Sequence, residues 1–432
     1  MLLEGVEVGE RSWWAWEGDD GLGPQSHIID GADLMAAIDS LATAIPGHAG
    51  DLQVSSEAFR EAPASVRADF ASDPAAGYGL HRCMTGDLCD PVREDALARA
   101  LSRVLLPPGL AERLVAVASS GRRLLLQVLP SQATTAVPWE LLSIAPDRPE
   151  CDLRVADAAD VATVAPLLGR DLRPGEQPRA DDETSLARPP LWVIDPGSTR
   201  VLSRRGQREW LRLLRRGERD TGSPVGACGQ PVEPAWLADR LHEPRSRFVY
   251  VGHVLPGVDA ADTRCELGAA GSGASGEAMV LTAHEVFMAV AGPVDGPMGG
   301  SGALSASLSW PMPPRVALIA CESGTDLRHA EPFGLVTAFL EAGARWVTAT
   351  RWPLFTSDAY GHYAGRRVDP LAAASHEIDQ AVASLDPVAG VGDWYRTRLT
   401  AWRATGALSD SPLLWAAFIT YHAPARSSRM PE

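Results

Sequence analysis

From about residue 190 onward, short unbroken apolar runs alternate with longer stretches of helical spacing. The runs are Leu191–Ile194, Phe248–Val251, Val316–Ala320 and Arg345–Thr350, with a weaker one at Pro224–Cys228. Apolar runs this short, without polar alternation, predict strands buried on both faces of a parallel sheet. Between them, Ser203–Arg216, Glu233–Leu241, Pro332–Glu341 and most of 357–387 carry apolar residues at helical spacing. Leu413–Tyr421 closes the chain as a helix end or a strand. Strand–helix alternation predicts an α/β fold, with a mostly parallel central sheet flanked by helices.

The first 190 residues are less regular. Trp13-Trp14-Ala15-Trp16 predicts a strand whose aromatics are exposed or covered by a partner. Asp30-Gly31-Ala32-Asp33 offers a turn and a cap for a helix over Leu34–Ile45, ended by Pro46-Gly47. Residues 91–118 predict helix, broken at Pro107-Pro108-Gly109, and Arg123–Leu129 predicts a strand. In Val137-Pro138-Trp139-Glu140-Leu141-Leu142, Pro138 and Glu140 suit a first helical turn, with Trp139 as packing. Residues 145–188 are rich in Asp, Arg, Pro and Gly, and 170–188 reads as a mobile loop and a candidate site of cleavage. These shifts divide the chain into a small N-terminal module, 1–84, and a larger domain, 85–432, with its core at 190–432.

Composition narrows the function classes. The chain has 432 residues, 45% of them hydrophobic and 22% charged, with a formal net charge of -16. That charge disfavours nucleic acid and anionic membrane as partners. No apolar run is long enough to span a bilayer, and the acidic N-terminus lacks a signal peptide's basic start, so the expected location is cytoplasmic. Six scattered cysteines without a Cys-x-x-Cys pair give no sign of a zinc ribbon or a thioredoxin motif, and no metal or cofactor is expected. Lysine and asparagine are absent, which excludes a lysine Schiff base, a P-loop lysine and a Cys-His-Asn triad. Gly271–Gly276 formally matches G-x-G-x-x-G, but it lies in a Gly/Ser/Ala loop ahead of a short helix at Ala283–Ala289. A dinucleotide fingerprint follows a strand and opens a helix, so the segment is expected to be a flexible loop.

The chemistry converges on two strand ends. Phe248–Val251 runs into Gly252-His253, and Val316–Ala320 runs into Cys321-Glu322-Ser323-Gly324. In open α/β sheets, ligands bind beyond the carboxyl ends of the strands. If the two strands are parallel neighbours, an imidazole and a thiol emerge on one edge. A thiol needs such a base to become a nucleophile near neutral pH. Cys265 and His284 lie between them in sequence and are read as structural. Asp195, Glu322 and Asp358 are candidates for a pocket that selects a basic residue before the cut, by charge pairing.

Val249–His253 followed by Leu318–Gly324 resembles the CHAT family, caspase-like cysteine peptidases of clan CD. Three further segments agree: the Pro-Trp-Glu-Leu-Leu box at 138–142, the stretch from Gly334 through Ala342-Gly343-Ala344 to Trp352-Pro353, and the Trp-Ala-Ala-Phe close at 415–418. The match covers roughly 85–432, with no tetratricopeptide repeats attached. The resemblance implies a caspase–hemoglobinase fold and hydrolysis of peptide bonds, with Cys321 as nucleophile and His253 as base. It also implies an oxyanion hole from the backbone N–H groups of Val254 and Cys321. Val254 replaces the family's usual glycine but keeps an N–H. Such domains often act in prokaryotic defence or regulated death, which implies a protein substrate and an activating partner, with a gate in 1–84 or in 257–309. The alternative is an inactive interaction module on the same fold.

Overall fold

The computed structural model describes residues 1–8, 11–18, 24–47, 58–165, 186–197, 199–222, 225–269, 278–291, 309–328, 333–365 and 368–422. Fourteen strands are formed among them: β1 Leu2–Val8, β2 Arg11–Glu17, β3 Gln25–Asp30, β4 Leu124–Leu129, β5 Ala159–Val164, β6 Leu191–Ile194, β7 Gly226–Cys228, β8 Phe248–Val251, β9 Val254–Leu255, β10 Arg264–Ala269, β11 Ala278–Thr282, β12 Arg315–Ile319, β13 Trp346–Thr350 and β14 Phe418–His422. Eleven make one sheet in the order β3-β2-β1-β4-β5-β14-β13-β12-β8-β6-β7. Its pairings are parallel except at β1–β2, β2–β3 and β13–β14. Helices flank it, and the apolar cores on its two faces are separate clusters. The α/β class with a mostly parallel sheet is the one the hydrophobic rhythm predicts.

The central strands follow their sequence closely. β6, β8 and β12 are buried at every position, which is why they lack polar alternation. β2 alternates instead, with Ser12, Trp14 and Trp16 inward and Trp13 outward. Trp14 meets Trp139 edge to face, with ring centroids 5.1 Å apart. The strands of residues 2–30 are therefore continuous with the main sheet, through the parallel pairing of β1 with β4. The helix Gly31–Ala44 starts at the predicted cap, where the Asp30 carboxylate accepts the Ala32 N–H at 2.8 Å. The helix at 91–118 is broken as expected, into Pro91–Leu105 and Pro108–Ser119.

Three expectations need correction. The Pro-rich stretch after 145 contains β5, a central parallel strand hidden in Ala-Asp-Val-Ala-Thr-Val. Pro138-Trp139-Glu140 opens only a single 3-10 turn, Trp139–Leu141. The segment between the two key strands is not simply loop: β9, β10 and β11 form a separate three-stranded antiparallel sheet, followed by a helix at Ala283–Ala291. Its Gly271–Gly276 loop, and most of 170–188, lie outside the described residues.

The boxes that carry the family resemblance converge physically. Arg351 is 2% exposed and spans three of them. Its guanidinium donates to Val137 O at 2.5 Å, to Phe418 O at 2.9 Å and to Glu140 Oε2 at 3.2 Å. Next to it, Trp352 Nε1 donates to Leu413 O at 3.1 Å. Gly343, between its two alanines, has φ of 115°, a conformation that glycine takes without strain.

Candidate active site

The site is set by register. β12 pairs with β8 in parallel, with Ile319 opposite Val251. Cys321 and His253 each lie two residues beyond that pair, so the two positions leave the sheet level with each other on its carboxyl edge. The Gly252 N–H donates to Ile319 O at 3.3 Å and holds the two ends together. β6 pairs with the other side of β8, with Ile194 opposite Val251, so Asp195 emerges on the same edge.

His253 sits in the kink where the chain leaves the main sheet for the second one. Tyr250 pins that kink from below. Its hydroxyl lies 2.7 Å from His253 O and 2.7 Å from Glu266 O, deep in the core. Gly252 is required here, since a Cβ would fall 2.6 Å from the Tyr250 hydroxyl oxygen. The imidazole Nε2 is 3.0 Å from Thr199 O. A carbonyl only accepts, so that contact places the proton on Nε2 and leaves the Nδ1 lone pair as the basic one. Thr199 thus holds the His253 ring through a backbone carbonyl, which no side-chain motif could reveal.

Val254 begins β9. The Glu266 N–H donates to His253 O at 2.9 Å, which makes 253 and 266 the hydrogen-bonded pair of that ladder. Pairs alternate in antiparallel ladders, so the Val254 N–H is turned away from β10. The structure thus puts Val254 beside His253 with an N–H not used by its own sheet.

Cys321 is partly buried, and its Sγ lies 3.4 Å from Leu354 O. Burial pushes the thiol pKa up, and the adjacent Glu322 carboxylate pushes it further. Among the described residues no hydrogen bond joins it to His253. The turn behind it is tightly held. Ser323 Oγ donates to Leu318 O at 2.8 Å and accepts the Thr350 N–H at 3.1 Å, while the Gly324 N–H donates to Thr350 O at 2.9 Å. Glu322 takes a left-handed φ of 51°, unusual for a side chain with a Cβ. Its carboxylate pairs with Arg328 Nη1 at 3.0 Å, and its carbonyl accepts from Thr325 Oγ1 at 2.9 Å.

The three pocket candidates separate in the structure. Asp195 is 1% exposed and has a φ of 54°. Its carboxylate accepts the N–H of Val201 at 2.8 Å, that of Leu202 at 3.3 Å and Gln207 Nε2 at 2.6 Å. It staples the loop that presents Thr199, and its two oxygens are taken up by these three donors. Glu322 is partly exposed beside the thiol, and Asp358 is exposed in the first turn of the helix Ser357–Ala364. Cys265 is fully buried with its pKa raised by burial, as befits a structural thiol. Among the described residues, no cluster of His, Cys, Asp and Glu could hold a metal ion, and no helix is long and apolar enough to cross a membrane.

Asp326 closes the turn. It is buried, and its Oδ2 accepts the Thr337 N–H at 2.8 Å at the start of the helix Leu335–Glu341. Burial raises its pKa to about 6, against the opposing pull of the Thr337 and Val336 amides. The unfolded carboxyl loses its proton near pH 4, so between pH 4 and 6 the folded chain binds more protons than the unfolded one. Stability from this group is present below pH 4 and falls as pH rises to 6, by on the order of 2 to 3 kcal/mol. Denaturant unfolding of wild type and Asp326→Asn at pH 4.5 and 7 checks this. The wild type should lose stability relative to the variant at the higher pH.

No protein-family model and no curated protein sequence matches the chain. Among solved structures it is similar to a chain of the Saccharomyces cerevisiae separase–securin complex, at 11% identity and a TM-score of 0.37. The match covers 92% of this chain and 22% of that one, so the chain spans about a fifth of the length of the protein it matches.

Proposed function

We propose that the protein is a cysteine endopeptidase that cuts a protein partner through Cys321 and His253. The observation that carries this is the parallel register of β8 and β12, which brings the two positions level on one sheet edge. The His253 Nε2–H contact with Thr199 O adds to it, because it leaves Nδ1 as the base. In the reaction, Nδ1 takes the thiol proton as Sγ attacks the scissile carbonyl carbon. The backbone N–H groups of Val254 and Cys321 receive the charge that develops on the oxygen. The C–N bond breaks as the imidazolium gives its proton to the leaving amine, and a thioester remains on Cys321. Water, deprotonated by Nδ1, then releases the acid. On this basis 85–432 carries the peptidase, and 1–84 is a module on its sheet edge.

The partly buried thiol, with its hydrogen bond to Leu354 O and none to His253 among the described residues, supports a gated enzyme, in which imidazole and thiol meet transiently at rest and an activating partner or the substrate holds them in contact. Assignment to a prokaryotic defence or regulated-death system rests on the CHAT resemblance alone. The same resting thiol favours the alternative, an inactive interaction module on this fold. A mixed peptide library incubated with wild type, with products read by mass spectrometry, separates the two. Cleavage is expected, and a preference for basic residues before the cut would place Asp358, or Glu322 released from Arg328, in the pocket. Cleavage without that preference removes these two from the pocket. No cleavage, together with no enhanced reactivity at Cys321, overturns the peptidase.

A further inference from the structure

The helix Arg204–Thr221 is a local reversal of the chain's charge. It holds seven arginines against three carboxylates, in a protein of net charge -16. Its buried side is ordinary packing. Trp210 donates to Ser375 Oγ at 3.1 Å and stacks on His376 at 4.2 Å, and Leu214 is buried. The opposite side is organised. Arg204, Arg208, Arg212, Arg215 and Arg219 are all exposed, with successive spacings of four, four, three and four residues. At 3.6 residues per turn these five fall within an arc of about 80°, roughly opposite Trp210 and Leu214. Two other arginines are neutralised within the helix, Arg205 by Glu209 at 3.2 Å and Arg216 by Asp220 at 3.8 Å. Among the described residues, none of the five in the stripe is paired with a carboxylate.

Five like charges on one arc repel one another, and pairs at i,i+4 of the same sign destabilise an isolated helix. The tertiary packing of Trp210 and Leu214 outweighs that cost, but it does not require the charges. Their position relates to the site. The helix starts five residues after Thr199, whose carbonyl orients His253. Asp195 fastens the intervening loop through Val201, Leu202 and Gln207. The stripe therefore begins at the catalytic edge. It runs back along the sheet for about 22 Å, from Arg204 to Arg219, at 1.5 Å per residue. That length matches about seven residues of extended polypeptide.

We propose that this stripe docks an acidic stretch of a polypeptide. Taking that polypeptide to be the substrate rests on the peptidase assignment above. A strand of peptide is narrow enough to lie on an 80° arc and meet arginine on both flanks. Duplex nucleic acid or a membrane surface would be repelled by the chain's net charge of -16, and by Glu218 and Asp220, exposed on the same helix. Each arginine can grip a carboxylate with two parallel N–H donors. The stripe thus supplies affinity and direction beyond the pocket, so that the bond cut lies at a fixed offset from an acidic run.

The test uses the full chain and a fluorescent peptide with seven consecutive glutamates. Binding is read by anisotropy for wild type, Cys321→Ala, and the triple variant Arg208→Glu, Arg212→Glu, Arg215→Glu. Wild type and Cys321→Ala should bind alike, and the triple variant should bind on the order of 50-fold more weakly, since three exposed attractions become three repulsions. Raising salt toward 1 M should weaken wild-type binding in the same direction. Circular dichroism of the triple variant, with an unchanged unfolding midpoint, confirms that only the surface differs. Absence of wild-type binding, equal binding by the triple variant, or tighter binding of duplex DNA or anionic vesicles overturns the docking assignment. Peptide binding that depends on the stripe, in a chain that cleaves nothing, overturns the peptidase and leaves the docking surface standing. Cleavage that ignores both the acidic run and the triple substitution does the reverse.

Discussion

Cys321→Ala is expected to lower peptide cleavage by on the order of 10⁴-fold or more, since the acyl intermediate of the proposed reaction forms on its sulfur. The protein should fold as before. Among the described residues its side chain makes one hydrogen bond, to Leu354 O at 3.4 Å. The turn behind it is held by Ser323, Thr350 and Gly324 rather than by the thiol. His253→Ala should give a loss of similar size for a different reason. It keeps the sulfur but removes the base, while burial still pushes the thiol pKa up.

Electrophile labelling distinguishes a resting enzyme from an inactive fold. Iodoacetamide should alkylate Cys321 faster than the buried thiols. Burial raises the pKa of Cys89 and Cys228 to about 12 and pushes that of Cys265 up as well. The same burial raises Cys321, so its advantage must come from Nδ1 of His253, and it should vanish in His253→Ala. The rate should also climb with pH, because only the thiolate reacts. A Cys321 that labels as slowly as Cys265, with or without the histidine, means that imidazole and thiol never meet, and the catalytic assignment falls.

How much of this was readable in the sequence depends on what each residue's neighbours required. β6, β8 and β12 were legible because a strand covered on both faces has nothing to show but apolar residues. Their order in the sheet was not written anywhere, yet a common carboxyl edge follows for any parallel pair, so His253 and Cys321 could be placed together. β5 was missed because Ala159-Asp160-Val161-Ala162-Thr163-Val164 is weakly apolar. Asp160 is tolerated there because Arg396 Nη1 reaches it at 2.9 Å from 236 residues away. The second sheet was missed because the strands Arg264–Ala269 and Ala278–Thr282 are short and flank a Gly-rich run that reads as loop. Asp195 shows the sharpest limit. An acid at a strand end is the same letter whether it faces a substrate or staples a loop, and only its three backbone and side-chain donors decide. Thr199 acts through its carbonyl, so its identity carries no trace of the role. Tyr250 did leave a signal: a phenol in a fully buried strand must find a partner for its hydroxyl, and here that partner is the histidine turn.

Arg351→Met should destabilise the fold by about 3 to 5 kcal/mol at pH 7, the usual cost of leaving one member of a buried ion pair alone. Glu140 is completely buried, and its carboxylate faces Arg351 Nη2 at 3.2 Å. The carbonyls of Val137 and Phe418 lose the same donor. Burial already raises the Glu140 pKa, with Arg351 as the main opposing influence. Removing the cation raises it further. The unfolded glutamate releases its proton near pH 4.3, so in the variant the penalty appears as pH rises through that value and grows toward neutrality. Denaturant unfolding at pH 4.5 and pH 7 should therefore show a smaller difference from wild type at the lower pH. Glu140→Leu combined with Arg351→Met should recover much of the loss, because neither charge is then stranded. A loss that is independent of pH and unchanged in the double variant would mean that Arg351 acts through packing alone. The pair joins the Pro-Trp-Glu box to the strand that follows the catalytic turn. The same substitution should therefore loosen the Ser323–Thr350 support under Cys321, and cleavage should fall before the protein unfolds.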